Sequence, residues 1–145
     1  TKMSKVNIIY WSGTGNTKAM ANLIAEGAGG KGADVSVLNV AEASEKDVED
    51  ADIVLFGSPA MGTEVIEEEE MDPFVESISS CVSGKKVGLF GSYGWGDGEW
   101  MRNWVKRMED YGANVLNEGL IVQEAPEGET EEDCRNFGRQ IMDEG

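Results

Sequence analysis

Histidine is absent from this chain, cysteine occurs twice, proline three times, and 12 cationic residues face 28 acidic ones. Each shortage excludes something. Without histidine the commonest general base is missing, and so is the commonest metal ligand. Cys81 and Cys134 lie far apart with no C-x-x-C or Cys/His clustering, which leaves metal binding and dithiol redox chemistry unsupported. Each is expected to be a small buried hydrophobe on the apolar stripe of a helix. The formal net charge of −16 excludes nucleic acid and an anionic membrane as partners and favours basic proteins. No stretch approaches the roughly 20 apolar residues of a membrane span. Residues Thr1 to Lys5 lack the apolar segment of a secretory signal, so a cytoplasmic protein is expected. A length of 145 residues with 40% apolar content predicts one domain over residues 1–145.

Short apolar runs alternate with amphipathic helical patterns, the signature of repeated βα units around a buried parallel sheet. Five strands are predicted: Lys5–Tyr10, Asp34–Leu38, Asp52–Gly57, Lys86–Gly91, and a last one in Asn114–Val122 interrupted near Asn117-Glu118-Gly119. The helical stripes are Met20, Leu23, Ile24 and Gly27, then Met101, Trp104, Val105 and Met108, and finally Cys134, Phe137, Gly138 and Ile141. Asp72-Pro73 reads as an N-cap followed by the first helical residue. Ser44-x-x-Asp47 and Thr130-x-x-Asp133 read as capping boxes. The expected fold is α/β, a doubly wound five-stranded parallel sheet in the order 2-1-3-4-5 with helices on both faces. Ligands bind beyond the carboxyl ends of such strands where the order reverses, here between strands 1 and 3.

Three loops open on that crevice. After strand 1 comes Ser12-Gly13-Thr14-Gly15-Asn16-Thr17, in which hydroxyls and a carboxamide alternate with glycines at the start of a helix. Neutral donors and backbone N–H groups can converge there on one dianion. The ATP-type loop is excluded because Asn16-Thr17 stands where Lys-Ser/Thr is required, and the dinucleotide fingerprint fails at Lys18. A terminal monophosphate of a cofactor fits best; a plain βα turn with an N-cap is the alternative. After strand 3 comes Ser58-Pro59-Ala60-Met61-Gly62-Thr63-Glu64, and after strand 4 Ser92-Tyr93-Gly94-Trp95-Gly96-Asp97-Gly98-Glu99-Trp100. Trp95, set between glycines that offer nothing to bury it, reads as a stacking surface for a planar ring. Met61 either covers the other face of that ring or belongs to the core. Trp100 begins a helical stripe and is expected to pack beneath the loop.

These three motifs together, in this order and through nearly the whole chain, resemble those of the flavodoxins, most closely the short-chain clostridial type. The resemblance implies one non-covalent FMN. Its phosphate would be held by Ser12, Thr14, Asn16, Thr17 and the backbone N–H groups of Gly13 and Gly15. Its ring would lie between Met61 and Trp95, within the segments Ser58–Glu64 and Ser92–Asp97. Glu64 would accept from flavin N3–H, and the Gly62 carbonyl would swing toward N5 when reduction protonates it, stabilising the semiquinone. Thr63 departs from what such a turn favours, because a β-branched residue resists φ > 0. A second electron would leave an anion in an already acidic protein.

The implied function is therefore a low-potential one-electron carrier working between semiquinone and hydroquinone. Its partners would be redox proteins with basic docking surfaces, approached as a monomer through a rim of Glu64, Glu67 to Glu70, Asp97 and Glu99. The enzyme alternative is an FMN-dependent quinone or small-molecule reductase on the same fold, for which no nicotinamide site is evident. A phosphoryl-accepting receiver needs acids after strand 1 and an Asp ending strand 3, where this chain has Trp11-Ser12 and Gly57-Ser58.

Overall fold

Apolar side chains two apart along each inner strand point to the same face of a sheet, so a run that is apolar throughout must be covered on both sides. The computed structural model describes residues 5–13, 15–60, 65–94, 98–116 and 119–144, with residues 143 and 144 described by their backbone alone. Its strands are β1 (Lys5–Tyr10), β2 (Asp34–Asn39), β3 (Ile53–Gly57), β4 (Lys86–Tyr93), β5 (Asn114–Val115) and β6 (Leu120–Gln123). They pair in parallel in the order β2-β1-β3-β4-β5, with β6 continuing beside β4 beyond β5. Val6 stands opposite Ile53 and Phe90 opposite Leu120. The interrupted last strand thus exists as two segments; Asn117 and Glu118 between them lie outside the described residues.

Helices α1 (Asn16–Gly30) and α5 (Glu129–Glu144) cover one face, where Met20, Ile24, Cys134, Phe137 and Ile141 pack on Val6, Ile8, Leu55 and Phe90. The other face is covered chiefly by α3 (Met71–Ser77) and α4 (Glu99–Asp110). There Met71, Val75, Trp100, Trp104 and Met108 join Ile9, Val54, Phe56 and Leu89. The period-2 alternation is visible in β1: Val6 and Ile8 face one cluster and Ile9 the other. A short α2 (Glu45–Glu49) starts at Ser44, whose N–H donates to the Asp47 carboxylate at 2.8 Å, as the capping-box reading expects.

Three local expectations are corrected. Helix α3 begins at Met71, ahead of Asp72-Pro73, because a different carboxylate caps it: Glu67 accepts the N–H groups of Glu69, Glu70 and Met71 at 3.0, 2.6 and 2.8 Å. Asp72 instead pairs with Arg107 at 2.9 Å. Helix α5 begins at Glu129, one residue before Thr130; the Thr130 hydroxyl accepts from the Glu127 N–H at 2.7 Å and closes the preceding turn. Cys81 lies in the turn after α3, half-buried, and donates to Glu49 Oε1 at 3.5 Å. Cys134 is buried on α5 as its stripe predicts. Among the described residues no helix is long and apolar enough to cross a membrane.

Candidate functional site

Parallel strands all deliver their following loops to the same sheet edge, and β1, β3 and β4 are neighbours in this sheet. A cleft of 250 Å³ opens there, lined by Trp11, Ser12, Gly13, Asn16, Thr17, Pro59, Ala60, Ser92, Tyr93, Gly94 and Glu124. Ser12, Gly13, Asn16 and Thr17 of the first motif, Pro59 and Ala60 of the second, and Ser92, Tyr93 and Gly94 of the third therefore do reach one place. Thr14, Met61, Gly62, Thr63, Glu64, Trp95, Gly96 and Asp97 fall outside the described residues.

Two residues of the predicted site are absent from the cleft lining: the exposed Gly15 and the buried Ser58. Gly15 adopts φ +96, a left-handed conformation open to glycine, as N-cap of α1. Its N–H donates to Ser12 Oγ at 3.0 Å, which folds the loop back on itself. Ser58 is wholly buried: its Oγ accepts the Glu67 N–H at 2.9 Å and donates to Pro59 O at 3.0 Å. Neither lines the cleft. Trp100 packs beneath, as its place on the α4 stripe predicts, with Nε1 donating to Ser58 O at 3.2 Å and its ring 5.7 Å from that of Tyr93.

The loop end of the cleft is chemically uniform. Among the described residues no side chain caps α1, and no acidic residue occupies its first turn, so its first N–H groups keep their hydrogen-bonding capacity. Around them stand the hydroxyls of Ser12 and Thr17 and the carboxamide of Asn16. The Thr17 hydroxyl lies 3.2 Å from Ser92 Oγ, and both residues are buried. Neutral donors at a positive helix end suit a terminal phosphate. The rest of the lining is Trp11, Pro59, Ala60, Tyr93 and Gly94, which include the flat rings of Trp11 and Tyr93. A phosphate tethered to a planar ring therefore matches the arrangement of the residues present.

Trp11 and Glu124 belong to the cleft although the sequence reading did not single them out. Trp11 packs under Gly13, where an added Cβ would come within 3.0 Å of its ring, and its Nε1 donates to Glu70 Oε1 at 3.2 Å. Its position directly before the glycine-rich loop was the available signal. Glu124 alone among the described non-glycine residues has positive φ, at 59°. Its N–H donates to Tyr93 O at 2.8 Å, and its carboxylate reaches toward Gly94. Among the described lining residues it alone carries a charge. Nothing in its sequence context marks it, because β6 brings it in from a distant part of the chain.

The comparisons agree with this geometry. A sequence model described as Flavodoxin matches residues 8–138. The flavodoxin of Clostridium beijerinckii is 52% identical over 136 residues, covering 94% of this chain and 98% of its own. That of Megasphaera elsdenii is 47% identical, covering 92% and 95%. The solution structure of two-electron-reduced Megasphaera elsdenii flavodoxin superposes with a TM-score of 0.87 at 45% identity, covering 95% of this chain and 98% of that one.

Proposed function

This chain belongs to the flavodoxin family, and on that premise we propose that it is a low-potential one-electron carrier that serves other redox proteins and turns over no small substrate of its own. Like other flavodoxins it carries FMN and transfers electrons. One observation supports the finer reading most directly: the cleft joins a neutral donor cradle, at a helix end uncapped among the described residues, to the flat rings of Trp11 and Tyr93, and no described cation lines it. FMN, when bound, supplies one-electron chemistry; the protein supplies binding, orientation and charge.

In this reading Ser12, Thr14, Asn16, Thr17 and the N–H groups of the first loop hold the phosphate. Met61 and Trp95 flank the ring, Pro59, Ala60, Tyr93 and Gly94 wall it, and Glu64 accepts its N3–H. The Gly62 carbonyl would accept a hydrogen bond from the reduced cofactor, worth about 1 kcal/mol. The net charge of −16 opposes the arrival of a further electron. Each 1.4 kcal/mol of that opposition lowers a one-electron potential by about 59 mV.

The partners are redox proteins, and their docking surfaces are basic in this proposal. Glu68, Glu69, Glu70, Glu99, Glu124 and Glu127 are all exposed, and they supply the complementary rim. Glu67, expected in that rim, is buried and does not belong to it. The carrier works as a monomer in the cytoplasm.

Stopped-flow oxidation of the reduced protein by cytochrome c, a basic redox protein, tests this reading. The rate should fall steeply as salt rises, and the protein alone should not consume NADPH. Salt-independent rates would remove the steering, and steady NADPH oxidation would favour the small-molecule reductase.

A further inference from the structure

Glu67 is 4% exposed, while its neighbours Glu68, Glu69 and Glu70 are on the surface. No cation pairs with it among the described residues. Burying a carboxylate without a counter-ion is costly unless hydrogen bonds replace the lost water, and here they do. Oε1 accepts from Glu70 and Met71 at 2.6 and 2.8 Å, and Oε2 accepts from Glu69 at 3.0 Å. Its backbone is committed as well: the N–H donates to Ser58 Oγ at 2.9 Å, and the C=O accepts from Asp72 at 2.9 Å.

Those partners are the two stems of one loop. Ser58 closes β3, with its N–H on Phe90 O at 3.2 Å, its Oγ on Pro59 O and its C=O under the indole of Trp100. Glu67 lies nine residues further on, at the entrance to α3. The loop between them carries Pro59 and Ala60 of the cleft wall and the proposed redox-linked turn at 61–64. From Glu70 the tie extends to Trp11 Nε1, at 3.2 Å, and hence to the first loop.

We propose that Glu67 is a positioning residue for electron transfer: by locking the stem of the second loop to Ser58 and capping α3, it fixes the frame against which that turn responds to reduction. The inference rests on the carrier reading above and adds to it. With both stems fixed, a hydrogen bond gained by the turn on reduction favours one oxidation state over the others. With the stems loose, the whole loop relaxes around every state and the preference shrinks. Glu67 does not line the cleft, so its effect should be seen in the spacing of the two one-electron couples and not in phosphate binding.

The variants Glu67→Gln and Ser58→Ala, with Glu76→Gln as a control on the exposed side of α3, test this. For each, the two midpoint potentials are measured spectroelectrochemically, alongside FMN affinity and thermal unfolding of the apoprotein. Glu67→Gln and Ser58→Ala should each change the equilibrium constant linking the two couples about tenfold, bringing them roughly 59 mV closer. FMN affinity should change less than about threefold, a shift below that of one hydrogen bond. A purely structural role would lower the melting temperature and leave the spacing alone, and that result overturns the proposal. So does a spacing change equalled by Glu76→Gln, which would reflect charge alone. Wild-type protein that takes up no FMN would instead sink the carrier reading itself.

Discussion

Thr17 Oγ1 lies 3.2 Å from Ser92 Oγ, with both residues buried, so the first turn of α1 is joined to the end of β4 beneath the cleft. The contact makes two loops distant in sequence into one wall. Thr17→Val keeps the shape of the side chain and removes its hydroxyl. FMN affinity of the apoprotein should fall about tenfold, or about 1.4 kcal/mol, while affinity for riboflavin, which lacks the phosphate, stays within about twofold. Flavin fluorescence titrations measure both; an equal loss for the two ligands would remove Thr17 from the phosphate end.

The two buried tryptophans of α4 should respond differently to the same substitution. Trp100 donates to Ser58 O at 3.2 Å, whereas the buried Nε1 of Trp104 has no partner among the described residues. Trp100→Phe should cost about 1–3 kcal/mol more than its lost volume, because the Ser58 carbonyl is left unsatisfied. Trp104→Phe removes an unsatisfied donor together with some packing, so its net cost should be within about 1.5 kcal/mol. Urea unfolding ranks them, and the reverse order would contradict the hydrogen-bond assignment.

Much of this was legible in the sequence because βα units announce themselves by period. Ile53–Phe56 is apolar throughout and Val6–Tyr10 is broken only by the buried Asn7, as befits strands covered on both faces. Once those strands are ordered, the placement of Ser12, Asn16, Pro59, Ala60, Ser92 and Tyr93 at one edge follows from the direction of the chain. What stayed hidden depended on partners distant in sequence. Four consecutive glutamates look alike until tertiary structure buries Glu67 against Ser58 and leaves the others in water. Asp72 resembles an N-cap in sequence, but Arg107 from α4 claims its carboxylate. Glu124 reaches the cleft because β6 pairs with β4, a register that no local signal encodes.

Helices α1 and α5 cross closely enough that a Cβ on Gly27 would lie 1.9 Å from Arg135 O. The obstruction is backbone and cannot rotate away. Gly27→Ala gains helix propensity worth up to about 1 kcal/mol, but separating two packed helices should outweigh it and leave a net loss of about 1–3 kcal/mol. Urea unfolding of the apoprotein measures the loss. A neutral or stabilising substitution would show that the crossing can relax.

Burial, helped by the charge of Asp133, pushes the Cys134 thiol up to about 12. The folded state therefore keeps this proton at pH values where the unfolded chain, with an ordinary thiol near 9, has released it. Stability from this group is complete below pH 9 and is lost between about 9 and about 12, with a slope approaching 1.4 kcal/mol per pH unit. Comparing the pH dependence of unfolding with that of Cys134→Ala isolates the contribution. The variant should show the shallower alkaline decline; parallel curves would mean that the thiol ionises freely in the folded protein.

The most direct measurement is a titration of the apoprotein with FMN followed by stepwise reduction with dithionite under the spectrometer. One equivalent should bind, giving a yellow protein whose spectrum passes through a long-lived blue stage before bleaching. A colourless protein that takes up no FMN would contradict the account, because three loops that meet without holding the cofactor leave the cleft unexplained.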